Sequence, residues 1–417
     1  MRVLQINNFE LVGGGSERVY QQNVRMLLDR GHEVATLSCG DRTFDERKLS
    51  VLLSRNANIE RNPLGTLRNI RNFIYRSEAA DSVKRLVNTF NPDVAHLHIF
   101  YGQLTSAILV ALNRLRIPCV MTVHEYRMLC PVSTLYSGAN GVCERCAAGN
   151  RIHAVLGRCN RGSALYSGLS AFEALVRDRY FAYADHICHF FMVSKFCFEK
   201  HRQYLPKLEN KMSVLYNCIN ELEVSAEPSS VRHDAHFIYS GRLSREKGVY
   251  LLCEAFARRP TLELRIAGDG PLAGELISRY QHLSNVRFLG RLDPVELRRE
   301  ISGAYFSVVP SVWYENNPMA ILESFARGTP VLGANIGGIP ELIYNNRTGL
   351  LFDPSDIQSL LGAIDAAHAM SVPVRMEMGA AAIALIREQH NEEKYYRRVI
   401  AVYERVLNGS ASANCIS

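Results

Sequence analysis

The feature that most constrains this chain is an alternation of short apolar strands and helices that runs, stops and starts again. Arg2–Asn7 is a compact apolar strand; Gly13-Gly14-Gly15 follow, and a helical pattern runs from Ser16 to about Asp29, closed by Arg30-Gly31. Glu33–Ser38, Val94–His98 and Pro118–His124 read as further strands. Helices are expected over Ser77–Phe90, stopped by Asn91-Pro92, and over about Gln103–Arg114. Strands separated by helices need crossover connections, which give a parallel sheet with helices on both faces. The polar stretch Cys218–His233 interrupts the pattern. It resumes with strands at Phe237–Tyr239, Leu262–Ala267, Val286–Leu289, Phe306–Pro310 and Pro330–Ala334. The expectation is an α/β protein of two doubly wound domains. These are residues 1–220, with a Cys-rich insertion at about 128–162, and residues 221–391. Residues 392–417 hold a last helix, from about Glu392 to Leu407, expected to pack back on the first domain.

A length of 417 residues fits two to three domains. No apolar run reaches the roughly 18–20 residues that span a bilayer. Met1-Arg-Val-Leu-Gln-Ile enters a strand without the pattern of a signal peptide, so a cytoplasmic location is expected. The odd count of 11 cysteines then argues for reduced thiols. The net charge of +7 is unevenly spread: 28 Lys+Arg face 18 Asp+Glu in residues 1–220, against 20 and 23 in residues 221–417. A basic first half is either a solvated surface or a match for an anionic partner: a membrane surface, a phosphorylated lipid or nucleic acid. No helix-turn-helix, zinc-finger or RNA-recognition pattern accompanies it, so nucleic acid is not expected as a partner.

Four signals in the second half point to phosphate and sugar chemistry. Ser240-Gly-Arg-Leu-Ser-Arg-Glu-Lys247-Gly248 follows a strand and places Arg242 and Lys247 on one loop that opens a helix, a setting that suits a diphosphate. Ala267-Gly-Asp-Gly-Pro271 is a glycine turn after a strand, where Gly268 and Gly270 permit a close approach to the backbone. Asn285-Val-Arg-Phe-Leu-Gly290 offers a strand edge. In Glu315-Asn-Asn-Pro-Met-Ala-Ile-Leu-Glu323, Asn317 suits an N-cap and Pro318 the first helical position, with helix to Arg327 and a stop at Gly328. Each alone has a plain structural reading: a surface loop, a turn, an edge strand, a capped helix carrying two glutamates.

Taken in this order the four resemble the retaining glycosyltransferases of family 4, which have the two-domain GT-B fold. Thr329-Pro-Val-Leu-Gly, Gly337-Gly-Ile-Pro-Glu341 and Gly349-Leu-Leu-Phe-Asp-Pro354 complete the likeness. The resemblance implies a nucleotide-sugar donor, a UDP- or GDP-sugar foremost. Arg242 and Lys247 would clamp its diphosphate, Glu315 would contact the sugar beside Asn317, Pro318, Met319 and Ala320, and Glu323 would bind ribose. Gly268, Gly270 and Leu289 would flank the base. In the first domain Gly14 and Gly15 match the glycine loop facing the diphosphate. Val123-His124-Glu125 matches the family's His-Asp position, with Glu in place of Asp, and puts His124 near the transferred sugar. No catalytic metal is implied, and no Asp-x-Asp motif is present.

Cys130, Cys143, Cys146 and Cys159 surround one Cys-x2-Cys knuckle, a spacing that suits either a closed structural zinc site or a loop of free thiols. Arg61, Arg68, Arg71, Arg76, Lys84 and Arg85 cluster around Phe73, Ile74 and Tyr75, a stretch that can lie on an anionic bilayer. Phe100, Tyr101, Tyr126 and Arg127 follow strand ends and are candidates for holding a saccharide or a polyprenol- or lipid-linked acceptor. The combined expectation is a glycosyltransferase of cell-surface polysaccharide (such as lipopolysaccharide) synthesis, peripheral to the cytoplasmic face of the inner membrane. The alternatives are a sugar-nucleotide epimerase or a phosphorylase on the same fold and, remotely, a basic nucleic-acid-binding protein.

Overall fold

A computed structural model describes residues 1–10, 13–40, 45–54, 70–138, 141–226 and 236–410. Its first sheet is built from β1 (Arg2–Phe9), β2 (Glu33–Cys39), β3 (Lys48–Leu53), β4 (Val94–Leu97), β5 (Cys119–Val123), β8 (His189–Met192) and β9 (Met212–Val214). All neighbours pair in parallel, in the order β3-β2-β1-β4-β5-β8-β9. A two-stranded antiparallel ribbon, β6 (Tyr136–Ser137) and β7 (Gly141–Val142), sits in the insertion. The second sheet holds β10 (His236–Ser240), β11 (Glu263–Ala267), β12 (Val286–Gly290), β13 (Phe306–Val309), β14 (Val331–Ala334) and β15 (Gly349–Phe352), parallel in the order β12-β11-β10-β13-β14-β15. In both sheets the chain moves outward from the first strand, returns, and continues on its other side. This leaves a crevice at the carboxyl ends of the central strands, where ligands of doubly wound folds bind. The two-domain GT-B architecture is therefore present.

Burial follows from the strand sequences. β4 and β13 are buried along their whole length, as strands covered on both faces must be. The helix Glu392–Ser410 closes the first domain rather than the second. Its Tyr395, Val399, Val402, Tyr403 and Val406 join Val3, Tyr20, Val24 and Leu27 in one apolar cluster. The chain therefore crosses between domains twice, near Asn217–Asn220 and near His390–Asn391. Ile219 and Asn391 form a parallel bridge there, and His390 Nδ1 bonds the Asn217 carbonyl at 3.1 Å.

The aromatic part of the basic stretch turns inward. Phe73 is buried, and so is Arg76, which donates to the Ser54 and Gln103 carbonyls at 2.9 and 3.3 Å. Tyr75 stacks on Phe181. Arg61 and Arg68 lie outside the described residues. The expected membrane face at Phe73–Tyr75 is thus a packing face.

Candidate active site

The segment Glu315–Glu323 forms one wall of the cleft. Glu315 is buried, and its Oε1 lies 2.6 Å from both Lys247 Nζ and Ser311 Oγ. Burial pushes its carboxyl upward, but the Lys247 charge and these hydrogen bonds outweigh that and hold it below the usual range. Lys247 also sits over the Trp313 ring, 5.2 Å from its centroid. The result is an ionised carboxylate and an ammonium fixed together at the end of β13. Arg242 is exposed on the same loop as Lys247.

The glycines around this pair are there for backbone crossings. A Cβ on Gly338 would stand 1.9 Å from the Asn316 carbonyl oxygen, and one on Gly337 would stand 2.5 Å from that of Glu315. Gly338 N donates to the Glu315 carbonyl at 2.7 Å. The Gly337-Gly338 turn thereby props the Glu315 loop from behind. Gly268 and Gly270 play a similar part: their Cβ positions fall 1.9 Å from the Gly241 oxygen and 2.4 Å from the Leu243 oxygen. The close approach anticipated there is made by the loop carrying Arg242, so these glycines position that loop. Leu289 is half-buried on β12, which is an edge strand.

The helix expected to begin at Pro318 spans Met319–Ala326, with Pro318 as its N-cap and no side-chain cap. Asn317 is not the cap. Its side chain and carbonyl are engaged by Asn217 at 3.2 and 3.0 Å, tying the loop to the interdomain crossing. The capping expectation fails because this tertiary pairing takes the side chain. Gly328, at φ 66°, ends the helix as expected. Across the cleft the helix Gly15–Asp29 starts with Gly14 as N-cap, and a Cβ on Gly15 would lie 3.5 Å from the Met319 side chain. The first residues of two helices, Gly15 and Met319, therefore lie close together, and each helix N-terminus carries partial positive charge and unsatisfied N–H groups.

Glu323 is paired across the domains. Arg18 reaches it at 2.6 Å and Glu223 at 2.7 Å. Burial raises the Glu323 carboxyl, and Arg18 opposes that shift. Both residues line a cavity of about 500 Å³ with Arg25, Lys48, Arg298 and Arg327. This cationic neighbourhood was missed in the sequence, because its members come from distant segments.

His124, at the end of β5, belongs to a stack of three imidazoles. His96 and His98 lie 4.7 Å apart between centroids, and His98 and His124 lie 5.2 Å apart. Burial holds the His96 and His124 rings down to about 3, and His98 well below its usual value, so all three are neutral at neutral pH. Gln5 Nε2 donates to Tyr403 at 3.4 Å, and Gln5 Oε1 accepts from His98 Nε2 at 3.1 Å. His98 Nδ1 is then the acceptor for His124 Nε2–H at 2.9 Å, leaving His124 Nδ1 with a free lone pair. The His124 carbonyl accepts from Asn316 Nδ2 at 2.9 Å, which joins the two walls. Burial raises the neighbouring Glu125 carboxyl, with Arg127 opposing.

Three of the four acceptor candidates are buried. Phe100 and Tyr126 are fully buried, and Tyr101 lies beneath the Arg177 guanidinium at 5.0 Å. Arg127 is held by Glu173 at 3.3 Å. Phe100 and Tyr101 pack in the first domain's core, Tyr126 packs with Leu129 and Leu135 of the insertion, and Arg127 is half-buried. Zinc is likewise unsupported. Cys130, Cys143, Cys146 and Cys159 are free thiols, and among the described residues no group of three or more His, Cys, Asp or Glu side chains is arranged to hold a metal ion. The insertion is fixed instead by Arg151, which donates to the Leu129, Cys146 and Met128 carbonyls and to Asp178.

Sequence comparison agrees with this geometry. The profile of Glycosyltransferase Family 4 matches residues 13–221, half of the chain, and that of Glycosyl transferases group 1 matches residues 223–384. The chain belongs to glycosyltransferase family 4. A glycogen synthase of Mycobacterium tuberculosis is 37% identical over 137 residues, which are 31% of this family 4 chain and 33% of that protein. The chain spans between about a sixth and a half of the length of the curated relatives it matches. Sucrose-phosphate synthase from Thermosynechococcus elongatus shares the fold, with TM-score 0.73 at 17% identity over 98% of this chain and 99% of that one. So does Anabaena HepE in complex with UDP-glucose, with TM-score 0.69 at 17% identity over 97% of this chain and 100% of that one.

Proposed function

We propose that this family 4 protein transfers a sugar, with retained configuration, from a nucleotide-diphosphate donor to a saccharide or lipid-linked saccharide acceptor in cell-surface polysaccharide synthesis at the cytoplasmic face of a membrane. The observation that carries the reading is the ion pair between half-buried Lys247 and buried Glu315, on the loop that leads into one of two helices whose first residues lie close together. As the bond from the anomeric carbon to the diphosphate breaks, negative charge grows on the diphosphate and positive charge on the sugar. Lys247, Arg242 and the amide groups near Gly15 and Met319 stabilise the first without a metal ion. Glu315, kept ionised, accepts hydrogen bonds from sugar hydroxyls, and the His124 Nδ1 lone pair accepts another. The departing phosphate takes the proton of the attacking hydroxyl, so no dedicated base is assigned. Glu323 takes the ribose hydroxyls in exchange for Arg18. The structural relative bound to UDP-glucose supports a nucleotide sugar as donor.

A thermal-shift screen of UDP, GDP, ADP and dTDP tests the reading. One of them should raise the melting temperature, by mass action on the folded state. Donor hydrolysis with the matching sugar nucleotides follows. Lys247→Ala and Glu315→Ala should each remove most turnover, about a hundredfold or more for loss of a group that stabilises transition-state charge. Near wild-type turnover in either variant defeats the assignment.

A further inference from the structure

The insertion carries a surface that the donor site does not use. Among the described residues thirteen large hydrophobic side chains are conspicuously exposed, and six lie between residues 152 and 180: Ile152, Leu156, Leu165, Phe172, Leu175 and Tyr180. They are ordered. In the helix Ala164–Leu175, the spacing of Leu165, Phe172 and Leu175 puts them on one stripe that continues to Arg179, while Leu169, Glu173 and Ala174 face inward. Ile152 and Leu156, four apart in the short helix Ile152–Leu156, share a face opposite buried Ala154, and the two helices pack together. Leu156 is 73% exposed and Tyr180 is 80% exposed. A grouping of this kind marks an interaction site rather than ordinary surface.

The charges around it have one sign. From residue 145 to residue 180 the exposed charged side chains are Arg145, Arg158, Arg161 and Arg179. The acids of this stretch are turned inward: Glu173 is held by Arg177 and Arg127, and Asp178 by Arg151 and Arg177. The surface is also rigidly mounted. Arg177 is fully buried, lies 5.3 Å from the Tyr183 ring centroid, and donates to the Arg127 carbonyl at 3.0 Å. Arg151 grips the carbonyls of Met128 and Leu129. Both arginines thus fix the apolar stripe to the loop that begins at His124.

We propose that this face docks on an anionic lipid bilayer, with Leu156, Phe172, Leu175 and Tyr180 entering the interface and Arg158, Arg161 and Arg179 meeting lipid phosphates. A second copy of the chain would bring the same arginines together across a two-fold axis, whereas an anionic bilayer satisfies all of them, at about fivefold in affinity for each. Docking in this orientation brings the loop that begins at His124 to the membrane, where a lipid-linked acceptor would arrive. That last step rests on the proposed transferase activity; the docking itself does not.

Sedimentation of the full-length protein with vesicles tests the proposal. Vesicles of phosphatidylglycerol and phosphatidylcholine in equal parts should bind it, more weakly as salt rises, and vesicles of phosphatidylcholine alone should bind it far less. Leu156→Glu with Phe172→Glu should lower binding by about tenfold or more, and Arg158→Glu with Arg161→Glu by a similar factor. All four positions are exposed, so the melting temperature and the nucleotide-induced shift should stay at wild-type values. No binding at low salt, or wild-type binding by either double variant, overturns the proposal. A concentration-dependent dimer that Phe172→Glu abolishes also overturns it, by giving the face to a second copy. Failure of the nucleotide shift in the wild type would strike the transferase reading and leave the docking result standing.

Discussion

Acid should unfold this protein well before its carboxylates titrate. Burial holds His96 and His124 down to about 3, and His189 and His201 down to about 4, from an ordinary 6.5. Because the folded values lie below the unfolded one, the unfolded chain binds protons first as pH falls. The stabilisation these neutral rings contribute is therefore complete above about pH 6.5 and is lost progressively below it. At pH 5.5 each ring should cost about 1.4 kcal/mol, and the four together about 5–6 kcal/mol. Glu125 and Glu323, whose folded values are raised, act the other way between their folded and unfolded values. A loss of this size is comparable to the whole stability of many domains, about 5–15 kcal/mol. Urea titrations at pH 7.5 and 5.5, followed by tryptophan fluorescence and circular dichroism, measure it. Stability should fall by about two protons per molecule on average across this range, with the slope steepening to nearly four at about pH 5.5. His96→Gln should remove about one proton from that slope. An unchanged midpoint between the two pH values would refute the claim that these imidazoles are held neutral.

Two further outcomes follow from the geometry. Gly338→Ala places a methyl group against the Asn316 carbonyl and should cost about 1–3 kcal/mol of stability, as overpacking does. It should also lower turnover by displacing the Glu315 loop, read by thermal melts and donor hydrolysis. Glu341→Ala removes a carboxylate that accepts from Lys195 N at 2.8 Å, Phe196 N at 2.5 Å and Tyr216 Oη at 2.7 Å. Charge-assisted bonds of this kind are worth about 1.5–3 kcal/mol each. The variant should open the cleft, seen as a larger radius of gyration in X-ray scattering.

Much of the architecture could be read from the sequence, because strand and helix periods and the glycine turns are local signals. The second sheet's first five strands fall where their apolar runs place them. β3, β8, β9 and β15 were not anticipated, although β8 is no shorter than β4 or β13. The site was legible where residue type and spacing decide, as for Lys247 and Glu315. It was not legible where side-chain direction decides. Phe100, Tyr101 and Tyr126 follow strand ends like true site residues but point into the core, and only the packing of Arg177 reveals that. Asn317 shows the same limit: its capping chemistry is local, but a partner a hundred residues away claims it.

The double crossing between domains has a mechanical consequence. Two adjacent straps, pinned to each other by Ile219 and Asn391, would resist sliding or separation of the domains more than rotation about the line they define. Substrate entry would then resemble the swing of a door on its jamb. The Arg18–Glu323 and Asn316–His124 contacts act as latches on its free edge, and turnover can be throttled by stiffening the jamb without touching the chemistry.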